Sequence, residues 1–170
     1  KKAAAPDPEV QETEESFLSP TSLVKIWKIF LKNIPSQVRR SILMYQPYIV
    51  MGEAGTGKSS LIDIYSDWKN QANQFYPSYT QDPMLQIFLG SRIIVQEIPA
   101  ALLHDTSTLT RKALVNLWKR FKRKKDLAVV ITIKADALVN GDPESLKEQA
   151  QMIRGKINIL SRILKQPVNL

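Results

Sequence analysis

The sequence predicts an α/β fold: a mostly parallel sheet with one antiparallel hairpin strand, helices on both faces, and a helix pair ahead of it. Three observations carry this. The apolar, β-branched runs "PYIVMG" and "LAVVITI" read as buried strands. Segments with helical periodicity alternate with them, which is the pattern of a sheet covered by helices. A glycine-rich loop at residues 52–60, "GEAGTGKSS", leads from the first strand straight into a helix.

Taken in order, residues 1–19 are rich in Ala, Pro and acid with almost nothing to bury, and read as a flexible linker. N-terminal helices are expected over 20–46. In "SPTSLVKIWKIFLKN", Leu23, Trp27, Phe30, Leu31 and Ile34 share one face of a 3.6-residue period, with Lys25, Lys28 and Lys32 off it. A second short helix follows Ser36 and carries Arg39 and Arg40.

Residues 47–170 read as the main domain, with an incomplete C-terminal end. "PYIVMG" is a strand stopped by Gly52. "KSSLIDIYSDWK" is a helix that turns Leu61, Tyr65 and Trp68 toward the core. "NQANQFYPSYTQDP" is a long polar connection, of a kind that is usually functional or mobile in a compact domain. "MLQIFLGSRIIVQEI" is two strands folded back at Gly90 and Ser91.

"TSTLTRKALVNLWKRF" is a helix capped by a Ser or Thr ahead of Leu109, with Leu109, Ala113, Leu117 and Phe121 at helical spacing and Trp118 assigned to packing. "LAVVITI" is a central strand covered on both faces. "GDPESLKEQAQMIRGKINILSRILK" is a long helix with Asp142 as N-cap and Pro143 at its first position. Leu146, Ala150, Ile153, Ile157, Leu160 and Leu164 recur along it at helical spacing, despite Gly155.

Composition narrows the chemistry. Lys and Arg outnumber Asp and Glu by 24 to 16 over 170 residues, a net charge of +8, so anionic ligands or partners are attracted. No cysteine is present, which excludes disulfides and thiolate metal sites and suggests a cytoplasmic setting. No apolar run approaches the roughly 18 to 20 residues that span a bilayer. Nucleic-acid binding ranks last, because no aromatic stacking pattern accompanies the basic segments.

Gly52, Gly57, Lys58 and Ser59 satisfy G-x-x-x-x-G-K-[ST]. Its glycines let successive N–H groups point at phosphate oxygens, and the following helix adds its positive end. The cofactor expected is ATP or GTP with Mg²⁺. It would lie against Gly52, Glu53, Ala54, Gly55, Thr56, Gly57, Lys58, Ser59 and Ser60, with Lys58 on the β and γ phosphates and Ser59 on the metal. The fold class this implies is a P-loop NTPase of the small-GTPase-like kind.

Hydrolysis also needs an acid near the metal and a group that orients water. Glu97, closing "IIVQE", is the candidate acid. A GTPase would have Asp-x-x-Gly where this chain has "EIPA", so Glu97 stands for the Asp and Ala100 for the Gly, and both departures predict slow or absent turnover. Thr80, or Ser78, sits in the long connection where a switch would place a metal ligand. "TIKAD" mimics a guanine-reading element, with Ile133 for its Asn, but follows the wrong strand; Asp136 reads as a loop carboxylate.

The string "SYTQDPMLQIFLGSRIIVQEIPAALLHDTSTLTRKALVNLWKRF", with "GEAGTGKSSLI" before it and "LVNGDPESLKEQAQMIRGKINIL" after it, resembles the cytoplasmic NTPase-like domain of the IcmF/TssM family over roughly residues 20–170. That family comprises large inner-membrane components of type VI, and related type IVb, secretion systems. The resemblance implies membrane helices ahead of the linker, a periplasmic region beyond the C-terminal end, and a bacterial inner-membrane location with this domain on the cytoplasmic side. It implies assembly with an inner-membrane protein and an outer-membrane lipoprotein, with baseplate or other cytoplasmic components as further partners.

Two functional readings follow: an assembly module that binds nucleotide with weak or no hydrolysis, and an active switch or motor enzyme working through Glu97. The basic run "KRFKRKK" at 119–125 and the helix around Trp27 each admit a membrane-surface reading, against the plainer ones of a dipole-favoured helix end and a packed helix. His104 has no Cys and no pair of neighbouring carboxylates to make a metal site, and reads as a surface residue.

Overall fold

The computed structural model describes residues 21–65, 85–90, 92–122, 126–165 and 168. Helices α1 (Ser22–Asn33) and α2 (Ser36–Ser41) lead through a 3₁₀ turn into β1 (Gln46–Gly52) and α3 (Lys58–Tyr65). Then come β2 (Gln86–Leu89), β3 (Ile93–Glu97), α4 (Ala100–His104), α5 (Thr108–Trp118), β4 (Ala128–Thr132), α6 (Ala135–Asn140) and α7 (Pro143–Leu164). The four-stranded sheet has the order β2-β3-β1-β4. β1 runs parallel to β3 and β4, and β2 folds back antiparallel on β3, as the Gly90 hairpin signal predicts.

Each strand alternates its side chains between two apolar clusters, which is why the runs are apolar throughout. On one face Ile49, Met51, Ile87 and Ile94 pack with α1, α4, α5 and α7. On the other, Val50 and Val95 meet Ile62 of α3. α1 belongs to the first cluster: Trp27 is 5% exposed, and its ring lies 5.5 Å from that of Phe121 in an edge-on contact. That supports the packed reading of this helix.

Several expectations need correction. Leu61 is half-buried, and Ile62 is the core residue of α3, one position round the helix. The Tyr65 side chain, Trp68, Ser78 and Thr80 lie outside the described residues. In α1 Ile26 is buried while Leu31 only flanks the core. Leu109 is 38% exposed, and Leu114 and Trp118 take its place in the core. Ala150 is exposed and Leu146 half-buried, so α7 packs mainly through Ile153, Leu160 and Leu164.

β4 is an edge among the described strands, and only Val129 within it is buried. No local pattern announces the short α4; Leu102 and Leu103 hold it on the core. Among the described residues no helix is long and apolar enough to cross a membrane.

Candidate functional site

The C-terminal ends of β1, β3 and β4 converge, Gly52 pairing with Thr132 and Val50 with Glu97. In open α/β sheets this edge is where ligands bind. The loop from β1 to α3 lies on it.

Gly52 is fixed by crowding: a Cβ there would overlap both the hydroxyl and the carbonyl oxygen of Thr132. Gly55 and Gly57 are fixed by conformation, with φ of 72° and 80°. Thr56 between them keeps a negative φ, since among the described non-glycine residues only Lys165 has a positive one. Such alternation turns successive N–H groups toward one side and makes an anion-binding concavity. The first N–H groups of α3 have no partner within their own helix and open on the same place. Among the described residues a Cβ on Gly57 would meet nothing within 4 Å, so only its backbone conformation calls for glycine.

Thr56 locks the turn. Its hydroxyl donates to the Glu53 carbonyl at 2.9 Å and lies 2.6 Å from the Thr132 hydroxyl, which ties the loop to β4. Lys58 is 6% exposed and donates to the carbonyls of Gly52 and Glu53 at 2.9 and 2.8 Å. An ammonium has three donors, so one remains for a ligand. The Ser59 hydroxyl lies 3.1 Å from each carboxylate oxygen of Glu97, itself 8% exposed. Ala54 and Ser60 are exposed on the loop and at the start of α3.

Beyond the loop, β3 continues as Ile98 donates to the Val50 carbonyl at 2.9 Å. Pro99 then precedes α4, whose first residues, Ala100 and Ala101, carry only methyl groups. His104 ends α4 and meets the loop: its Nε2 lies 2.7 Å from Glu53 Oε2. Glu53 Oε1 is buried with no partner among the described residues. Asp105 follows, accepting from the Ser107 N–H at 2.7 Å and from the Thr110 hydroxyl, while its carbonyl takes the Lys156 amine at 2.6 Å.

The Thr110 hydroxyl and the Ser107 amide hold the Asp105 carboxyl below its ordinary value. Burial pushes the Lys156 amine down, only partly offset by the Asp105 charge. This network anchors the end of α4, and with it His104, to α5 and α7.

The site therefore brings together Gly52, Glu53, Lys58, Ser59 and Glu97, all named from sequence. It adds Thr132 and His104, for which no local pattern gives a signal because their partners lie 76 and 51 residues away. Lys134 is a further addition, its Cε and Nζ lying beside Gly55. Asp136 lies in the first turn of α6 rather than a loop, exposed and accepting from Asn140 at 2.9 Å. Among the described residues no group of three or more His, Cys, Asp or Glu could hold a metal ion. No family model, no curated protein and no solved structure matches this chain.

Proposed function

We propose that the chain is a nucleotide-binding module that seats the phosphates of ATP or GTP, with Mg²⁺, on residues 52–60, and turns them over slowly or not at all. The observation that carries the reading is the joint placement, at one sheet edge, of an open alternating-handed loop, the Lys58 amine and the Ser59–Glu97 pair. The residues fit the group. The alternating loop amides suit an anion, and a hydroxyl beside a carboxylate is a hard-oxygen set of the kind Mg²⁺ accepts alongside phosphates and waters.

Bound Mg²⁺ would neutralise phosphate charge, while this chain's own part is to orient the phosphate chain. Weak turnover is supported by Ala100 and Ala101, which bring no hydrogen-bonding side chain to the start of α4. His104, the one histidine in the sequence, is engaged by Glu53. The resemblance to the IcmF/TssM family extends the proposal: nucleotide occupancy supports assembly of an inner-membrane secretion complex with the partners named above.

The test is thermal unfolding with Mg²⁺ and ATP, GTP or a non-hydrolysable analogue. At a ligand concentration one hundred times Kd, stabilisation of about 2.7 kcal/mol is expected. Lys58→Ala should abolish the shift, and phosphate release should stay near background in the parent and in Glu97→Gln alike. No shift with any nucleotide overturns the proposal; release that Glu97→Gln removes favours the enzyme reading instead.

A further inference from the structure

Away from the loop, the groove between α5 and the C-terminal half of α7 carries a single sign of charge. It has a volume of about 440 Å³ and an apolar floor that includes Val115, Ile159 and Ile163. Arg111, Lys119, Lys122, Arg162 and Lys165 surround it, with no carboxylate among its described lining residues. Neither residues 106–122 nor residues 149–165 contain an Asp or Glu.

Helix dipoles account for part of this, since cations are favoured at the C-terminal ends of α5 and α7. They do not account for Arg111, which stands at the N-terminal end of α5, where the dipole opposes a cation. A concave apolar floor with a cationic rim suits an acidic amphipathic segment, whose apolar side chains reach the floor while its carboxylates meet the rim. A bilayer surface would touch only the rim.

The chain itself carries such a segment. Residues 7–18, "DPEVQETEESFL", hold Asp7, Glu9, Glu12, Glu14 and Glu15 together with Val10, Phe17 and Leu18, and no Lys or Arg occurs from residue 3 to residue 24. Chain length allows the reach. Trp27 of α1 touches Phe121, which lies between Lys119 and Lys122 in the chain. Ser22, where α1 starts, is about 7.5 Å along the axis from Trp27, and each extended residue ahead of it adds up to about 3.5 Å of reach. We propose that residues 7–18 dock in the groove between α5 and α7, an internal acidic strap over the basic face.

Carbodiimide coupling of the whole chain, mapped by mass spectrometry, tests this. Couplings within one chain are expected from Glu12, Glu14 or Glu15 to Lys119, Lys122 or Lys165. They should fall several-fold in Arg111→Glu/Arg162→Glu, and likewise in high salt, where screening shortens to a few ångströms, ~3 Å at 1 M. Couplings spread over Lys28, Lys112 and Lys147 in proportion to exposure, or formed only between two chains, overturn the proposal.

A second arm uses phosphatidylcholine vesicles containing phosphatidylserine. Glu12→Gln/Glu14→Gln/Glu15→Gln should bind them several-fold more tightly than the parent, and Arg111→Glu/Arg162→Glu in that background should remove the gain. Equal binding by parent and triple variant, or a gain that survives the two Arg substitutions, makes the groove no strap site and sinks the idea.

Discussion

Gly52 and Gly57 belong to the same loop for different physical reasons, and substitution separates them. Alanine at Gly52 drives a methyl group into the Thr132 main chain, which no rotamer relieves, so a loss of roughly 3 kcal/mol or more is expected. Alanine at Gly57 has open space and bears only the left-handed backbone, about 1–2 kcal/mol. Urea unfolding followed by tryptophan fluorescence ranks the two; equal losses would contradict the crowding at Gly52. The glycines, Lys58 and Ser59 were legible because their spacing is local and dictated by the curl of the main chain. Thr132 and His104 were not, because each acquires its role only when the sheet and α4 bring distant segments together.

Among elements, α7 was the most legible: Asp142 accepts from the Ser145 N–H at 3.1 Å, the cap its sequence announces, and Pro143 follows at the first position. Gly155 is the exception within it. It is exposed, and a Cβ there would meet nothing within 4 Å among the described residues, so no packing reason in them holds a glycine. Gly155→Ala should therefore stabilise by about 1 kcal/mol and raise Tm by about 2–4 °C, while Asp142→Ala should cost about 1 kcal/mol. A thermal scan of the two variants checks both signs. Elsewhere tertiary packing overrode local pattern. α4 is too short for any period to register and stands because Leu102 and Leu103 are buried. In α3 the adjacent apolar residues Leu61 and Ile62 left the facing direction open within one position, and contact with Val50 and Val95 chose Ile62. The apolar run of β4 indicated a strand but could not give its rank in the sheet.

At the scale of the molecule, the Lys156–Asp105 contact joins α7 to the connection between α4 and α5, and so makes stability depend on pH in a definite direction. The Asp105 carboxyl lies below its ordinary value of 3.8, so the native state binds its proton less readily than the unfolded chain does. The stability it contributes is complete above 3.8 and drains away as pH falls through the lowered value. Lys156 also lies below its ordinary value, 10.5, but the cause is burial of the charged form. Its penalty is present at neutral pH and vanishes as pH rises through the lowered value toward 10.5. Both groups thus tilt stability upward with pH, at opposite ends of the scale. Because other lysines and tyrosines titrate in the alkaline range, the informative quantity is the difference between parent and variant. Stability of the parent minus that of Lys156→Met should climb as pH rises through the lowered value toward 10.5. The same difference for Asp105→Asn should shrink as pH falls below 3.8. A flat Lys156 difference across the alkaline range would mean that its amine is solvated in the native state, and that α7 is held on α4 and α5 by its apolar face alone.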